Sequence, residues 1–191
     1  MIYLARHGQT DWNIQDRIQG NDVPLNERGR QEAKICGQKL VSFKIDCIIA
    51  SDLPRAKETA HIINKFLSVP IRFDARLREV SWGDLQGKLR TEVSDVEWDA
   101  LKYNPAQIHA ESLTDVYRRI KSFFDEIDVS QNTLIVTHAG DIEMVKYLSQ
   151  YSDFFDQALF EKAIQDLEIK NTALFRWNKQ QDFELLTDKT E

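Results

Sequence analysis

The sequence predicts an α/β fold, a three-layer α/β/α sandwich around a largely parallel central sheet, and three observations predict it. Short, almost wholly apolar runs, Ile2-Tyr3-Leu4-Ala5, Cys47-Ile48-Ile49-Ala50 and Leu134-Ile135-Val136, read as strands buried on both faces, as a parallel sheet requires. Segments with apolar residues at helical spacing separate them. The chain begins strand, loop, helix, strand, helix, a βαβα order whose crossovers place helices on the sheet faces. At 191 residues and 42% hydrophobic content the chain can bury one sizeable core and is short for two, so residues 1–191 are expected to form a single domain.

The first strand ends abruptly in Arg6-His7-Gly8-Gln9-Thr10. Chains leaving a parallel sheet at such a point place ligands there. A neutral imidazole at His7 can attack phosphorus, the Arg6 guanidinium can hold phosphate oxygens in pairs, and Gly8 would let backbone N–H groups approach. Residues 14–26, with Arg17, Gln19-Gly20 and Pro24, read as a turn-rich loop over the strand end. Asn26 is a good N-cap for a helix over residues 27–43, with Ala33, Cys36, Gly37 and Leu40 inward.

Residues 45–50 form the second strand, and Ser51-Asp52 opens a helix over 55–67. Arg55 in its first turn could lean back as a second phosphate clamp, or pair at the surface with Glu58 or Asp52. A short strand at 70–73 leads into a loop carrying Glu79, which could donate a proton or pair with Arg76 or Arg78. Residues 88–105 are polar and helix-prone, with Trp98 and Leu101 inward, and belong to a lid-like region at about 80–110.

Ser112 and Asp115 form a capping box before a helix with Val116, Ile120, Phe123, Phe124 and Ile127 on one face. The strongest strand, 133–137, ends in His138-Ala139-Gly140, as the first ends in Arg6-His7-Gly8. His138 can therefore supply a donor to a phosphate oxygen, with the backbone N–H groups of Ala139 and Gly140 beside it. Helices are expected over 142–148 and over 151–167, the latter broken near 151–153. A hairpin of 173–177 and 183–186 turns through 178–182, and 187–191 should fray.

A net charge of −6 without a Lys/Arg block argues against nucleic-acid or membrane-surface partners, so local arginines must hold any anionic substrate. No leader-like pattern and no membrane-length apolar run is present, which suggests a cytoplasmic protein. Cys36 and Cys47 are expected as buried free thiols. Four histidines without ligand spacing lead us to expect no metal.

These motifs together resemble the histidine phosphatase superfamily, in the branch that includes cofactor-dependent phosphoglycerate mutases and small phosphatases. The likeness runs in order through Leu4-Ala5-Arg6-His7-Gly8-Gln9-Thr10-Asp11-Trp12-Asn13, Arg17-Ile18-Gln19-Gly20, Asp22-Val23-Pro24-Leu25 and Arg28-Gly29. It continues through Ser51-Asp52-Leu53-Pro54-Arg55-Ala56, Leu77-Arg78-Glu79 with Trp82-Gly83 and Gly87, and Val136-Thr137-His138-Ala139-Gly140. The resemblance implies a phosphoglycerate mutase-like fold, with His7 as the nucleophile, Arg6, Arg55 and His138 holding phosphoryl oxygens, and Glu79 moving the proton. It places Asn13, Gln9, Gln19 and Gly20 among the phosphate or substrate contacts. Gln86, where glutamate is frequent, Ala139, where glycine is frequent, and Asn26, in place of a Ser or Thr cap, depart from the pattern without removing a catalytic group.

The expected activity is thus metal-independent hydrolysis of small phosphorylated metabolites through a phosphohistidine, with no cofactor. Length and the short segment 88–110 favour a phosphatase over a mutase of the same branch, and the presence of His7 and Glu79 weighs against a non-catalytic phospho-ligand domain. Trp12, Trp82 and Trp98 could form an apolar mouth, although tryptophans so placed more often belong to the core. Sugar phosphates, phosphoglycerates, α-ribazole phosphate and nucleotides are all compatible substrates.

Overall fold

A computed structural model describes residues 1–151, 153–178 and 182–186. Six strands among them form one sheet: β1 (Ile2–Arg6), β2 (Cys47–Ala50), β3 (Ile71–Phe73), β4 (Thr133–Thr137), β5 (Leu174–Trp177) and β6 (Phe183–Leu185). Their spatial order is β3-β2-β4-β1-β5-β6. The first four of these neighbours run parallel, whereas β5 is antiparallel to β1 and β6 to β5. The helices are α1 (Asp11–Ile14), α2 (Glu27–Leu40), α3 (Pro54–Leu67), α4 (Asp95–Tyr103), α5 (Leu113–Glu126), α6 (Ala139–Leu148) and α7 (Gln157–Ile164).

Alternation along the strands divides the core into two layers. Ile2, Leu4, Ile49, Ile135 and Phe175 pack with Val116, Ile120 and Phe123 of α5 and with Ile142 and Val145 of α6. Tyr3, Ala5, Ile48, Ala50, Leu134 and Val136 pack with Cys36 and Leu40 of α2 and with Ala56, Ala60 and Ile63 of α3. Phe123 is the kind of anchor whose truncation costs about 3–5 kcal/mol in a close-packed core.

Local chemistry sets the helix ends. Asn26, Ser112 and Asp156 accept from backbone N–H groups of α2, α5 and α7, and Ser94 exchanges hydrogen bonds with Glu97 at the start of α4. α3 starts on Pro54 without a side-chain cap, because the cap residue, Leu53, has no side-chain acceptor. Several boundaries differ from those expected. The loop after β1 holds the one-turn α1, capped reciprocally by Thr10 and Asn13. Within 88–105 only Asp95–Tyr103 is α-helical, and α6 begins at Ala139, three residues before the expected 142. The expected helix 151–167 shrinks to Gln157–Ile164, since Asp156 donates its N–H to the Tyr147 hydroxyl and caps α7 afresh.

Cys36 is buried, but Cys47 is only half-buried, since it opens β2 at the sheet's margin beside Thr133. The tail 187–191 and positions 179–181 of the expected 178–182 turn lie outside the described residues. No helix among the described residues is long and apolar enough to cross a membrane.

The register builds the site. Arg6 aligns with Thr137 across β1–β4 and Ala50 with Val136 across β2–β4, so three parallel strands stop level. The His7 N–H then donates to the Thr137 carbonyl at 2.9 Å and the Ser51 N–H to the Val136 carbonyl at 2.9 Å. His7, His138 and Ser51 consequently leave the sheet side by side at its carboxyl edge.

Candidate active site

The floor of the site is a pair of imidazoles. His7 and His138 are buried, with ring centroids 5.2 Å apart. Burial, followed by the charges of Arg55 and Arg6, holds the His7 pKa well below its usual value, so the ring is neutral at neutral pH. Its Nδ1 lies 2.7 Å from the Gly8 carbonyl, which can only accept. Nδ1 therefore carries the proton, and Nε2 is left with the lone pair. Burial and the Arg55 charge likewise depress the His138 pKa. Its Nε2 stands 2.9 Å from the Ser51 hydroxyl, which also accepts the Leu53 N–H. Ser51 and His138 Nε2 thus share one hydrogen bond, and the Nδ1 of His138 is buried without a protein partner.

Two guanidiniums stand over this floor. Arg55, the largest fully buried side chain at 1% exposure, donates to the Gly20 carbonyl at 2.8 Å, and burial pushes its pKa down to about 10. The surface partners that its sequence neighbourhood offers are taken: Asp52 pairs with Arg78 at 2.6 Å and Glu58 with Arg30 at 2.6 Å. Arg6 donates to the Ile169 carbonyl at 2.7 Å. The Nε atoms of both arginines are buried without a partner. A buried cation without a carboxylate is costly, and a site with several unpaired donors is suited to an anion.

Glu79 is not a salt-bridge residue. Arg76 is occupied by Asp74 and Glu126, and Arg78 by Asp52. The Glu79 Oε1 accepts the N–H groups of Val80 at 3.1 Å and Gly140 at 3.2 Å. Gly140 is required for this approach, since a Cβ there would stand 2.5 Å from Oε1. The loop is tied at several points: the Thr137 hydroxyl donates to the Leu77 carbonyl, Arg119 to the Arg76 carbonyl at 2.6 Å, and the Ser81 N–H to Glu111. Arg119 also pairs with Glu111 at 2.7 Å and with buried Asp141 at 3.1 Å, so α5 and α6 brace the acid loop together. Arg119, Asp141 and Glu111 carry no motif of their own, and only the fold joins them.

Several expected contacts are redirected. The Gly8 N–H goes to Thr59 Oγ1 at 3.0 Å, and glycine is needed here because a Cβ would lie 2.4 Å from the Gly29 carbonyl oxygen. The Gln9 side chain turns to Asn26 at 3.2 Å and its N–H to Glu32, away from the cavity. Gly20 contributes its carbonyl to Arg55, and the Gly140 N–H is given to Glu79. Asn13 and Gln19 line the cavity, with the Thr10 hydroxyl within 3.0 and 3.1 Å of their side-chain oxygens. Ala139 and Gly140 line it as well. Asn171, unmarked in the sequence, donates to the His7 carbonyl at 3.1 Å and to Asn13 at 3.3 Å, closing the site from the segment before β5.

Arg6 and Glu79 open into a cavity of about 790 Å³. Trp12, Trp82 and Trp98 line it, each half-buried, and Trp82 and Trp98 also pack against Ile18, Leu85 and Val93. Trp82 and Trp98 are wall and core at once, and Trp12 is wall. Arg90 lies 5.5 Å from the Trp82 ring and 6.0 Å from Trp98, and Arg17 lies 5.9 Å from Trp12. Glu143 of α6 faces the same cavity, one helical turn beyond Ala139 and Gly140, a spacing from which it could have been anticipated. Among the described residues, no group of three or more His, Cys, Asp or Glu is arranged to hold a metal ion.

Known proteins resemble this chain in sequence and fold. The chain is 35% identical over 142 residues, 74% of its own length and 72% of the relative's, to an uncharacterized phosphatase, PhoE, of Bacillus subtilis strain 168. It is 35% identical over 147 residues, 72% of this chain and 68% of the relative, to a probable phosphoglycerate mutase, GpmB, of Salmonella paratyphi A. Among solved structures, a mycobacterial glucosyl-3-phosphoglycerate phosphatase in complex with VO3 superposes with a TM-score of 0.78 at 25% identity, covering 97% of both chains. A model of the histidine phosphatase superfamily (branch 1) matches residues 2–178. Motifs, topology and family match thus coincide, and the chain belongs to the histidine phosphatase superfamily.

Proposed function

We propose that this histidine phosphatase hydrolyses small phosphomonoesters in the cytoplasm, without metal, through a phosphohistidine on His7. The observation that carries the reading is the set of buried, unpartnered nitrogens, Arg6 Nε, Arg55 Nε and His138 Nδ1, around an imidazole whose Nε2 bears a lone pair. The two buried guanidiniums suit a phosphate dianion and repel a metal cation. Two cysteines outside any disulfide, Cys36 and Cys47, suit a reducing compartment.

In the first half-reaction His7 Nε2 attacks phosphorus while the bond to the ester oxygen breaks, and Glu79 delivers its proton to the departing alkoxide. Arg6, Arg55 and His138 hold the three equatorial oxygens as charge spreads over them. In the second half-reaction Glu79 takes a proton from water, whose oxygen attacks the phosphoryl group. The phosphorus–nitrogen bond then breaks, releasing inorganic phosphate and regenerating His7. Phosphate monoesters demand accelerations of up to about 10²¹-fold. One general acid supplies about 10²–10⁴ and one positioned donor about 10²–10³, so the groups must act together.

The test is hydrolysis of para-nitrophenyl phosphate in the presence of chelator, with wild type and His7→Ala side by side. Turnover that is lost in the variant by about 10⁴-fold or more supports the reading. Turnover that survives in His7→Ala, or that chelator abolishes and a divalent ion restores, contradicts it. Interconversion of phosphoglycerates without net hydrolysis would instead assign a mutase.

A further inference from the structure

We infer that Glu143 selects the leaving group: it accepts hydrogen bonds from a neutral, polyhydroxylated alcohol, so that the preferred substrate is a sugar or polyol monophosphate with no second charged group. The inference rests on the phosphatase reading above and concerns the part of the substrate beyond phosphorus.

Placement comes first. Along α6 the cavity is lined by Ala139, Gly140 and then Glu143. At about 1.5 Å per residue, Glu143 stands roughly 5 Å further along the helix than the contact between Gly140 and Glu79. An alcohol extending from phosphorus along this helix meets its carboxyl.

Every other charged side chain on the cavity wall has a protein partner. Asp16 pairs with Arg90 at 3.4 Å, Lys102 with Glu161 at 3.0 Å and Glu111 with Arg119 at 2.7 Å. Arg17 donates to the Gly87 carbonyl, Arg6 to the Ile169 carbonyl, and Glu79 accepts two backbone N–H groups. Among the described residues Glu143 has none, although it is largely withdrawn from solvent. Burial, with Glu79 adding to it, pushes its pKa up to about 7. Such a group gains most from a ligand that brings donors.

The charge of the alcohol follows from its surroundings. A carboxylate or second phosphate would meet Glu143 and Glu79 in one confined space. An ammonium group would enter beside the cationic side chains of Arg6, Arg17, Arg90 and Lys102, which line the same cavity. An uncharged polyol avoids both conflicts: its hydroxyls donate to Glu143 while its C–H faces lie against the indoles.

The experiment measures kcat/KM for sorbitol 6-phosphate, 3-phosphoglycerate and phosphoethanolamine with wild type and Glu143→Gln, and the binding of the same three esters to His7→Ala. Wild type should prefer sorbitol 6-phosphate, and Glu143→Gln should shrink its advantage over 3-phosphoglycerate by about tenfold or more. A preference for either charged ester, or an advantage that Glu143→Gln leaves unchanged, overturns the inference. No turnover, with the same order of binding to His7→Ala, would overturn the phosphatase reading and keep the role of Glu143.

Discussion

The floor and the rim of the site are built in different ways. On the floor, His7 and His138 follow directly from adjacent strand ends, and the sheet register alone sets them 5.2 Å apart. The rim draws Trp12, Trp82, Trp98, Glu143 and Asn171 from segments widely spaced along the chain, and most of these side chains remain half-exposed. The floor is rigid by construction, because its groups inherit the position of a buried parallel sheet. The rim can vary without disturbing it. Under the proposed mechanism the chemistry belongs to the sheet and the choice of substrate to the rim, with Glu79 as the one reacting group carried between them.

Breaking that joint should have the largest effect. Arg119→Met removes the charged partner of buried Asp141, the tie to the Arg76 carbonyl and the pair with Glu111, and should cost about 3–5 kcal/mol in chemical denaturation. It should also lower kcat for poor leaving groups more than for good ones, because a loosened Glu79 fails where the proton matters. Equal losses across a leaving-group series would separate Arg119 from the acid loop.

On the floor, Arg55→Ala should lower kcat/KM by about 10²–10³-fold. It should lower the Tm of the ligand-free protein only modestly, since the packing and the Gly20 bond that it loses are offset by removal of a buried cation without a carboxylate. The stabilisation that inorganic phosphate gives to wild type should disappear in the variant. A strongly destabilised Arg55→Ala would make this arginine structural.

The smallest effect sharpens the rim. Glu143 titrates at about 7 in the folded chain, above the ordinary 4.5, so the folded state holds an extra proton between those values. The stability linked to that proton is full below about 4.5 and is lost as the pH rises towards about 7. The Tm of Glu143→Gln relative to wild type should therefore climb across this window and level off above it. A difference that is flat with pH would mean that Glu143 is well solvated.

The contrast also explains what could be read from the residues alone. Arg6-His7-Gly8 and His138-Ala139-Gly140 each follow an unmistakable strand, so the floor was legible, as were the layers of the fold. Arg55 and Glu79 were ambiguous because plausible partners lie a few residues away. Partners from other segments decide the matter: Arg30 and Arg78 take the acids near Arg55, while Asp74 and Asp52 take the cations near Glu79. The side-chain direction of Gln9 was hidden for a similar reason, since its partner is Asn26 at the start of α2. Asn171 and the brace of Arg119, Asp141 and Glu111 gave no local signal, since each acts through contacts made only after folding.

The most direct test of the central claim is to trap the phosphoryl group. Wild type and Glu79→Gln are mixed with para-nitrophenyl phosphate, quenched in alkali, digested and sequenced by mass spectrometry. Phosphate on the peptide containing His7, lost on acid treatment and more abundant in Glu79→Gln, is the predicted result, because the variant can be phosphorylated by a good leaving group but activates water poorly. Phosphate on another side chain, or none during active turnover, would contradict the assignment of His7 as nucleophile.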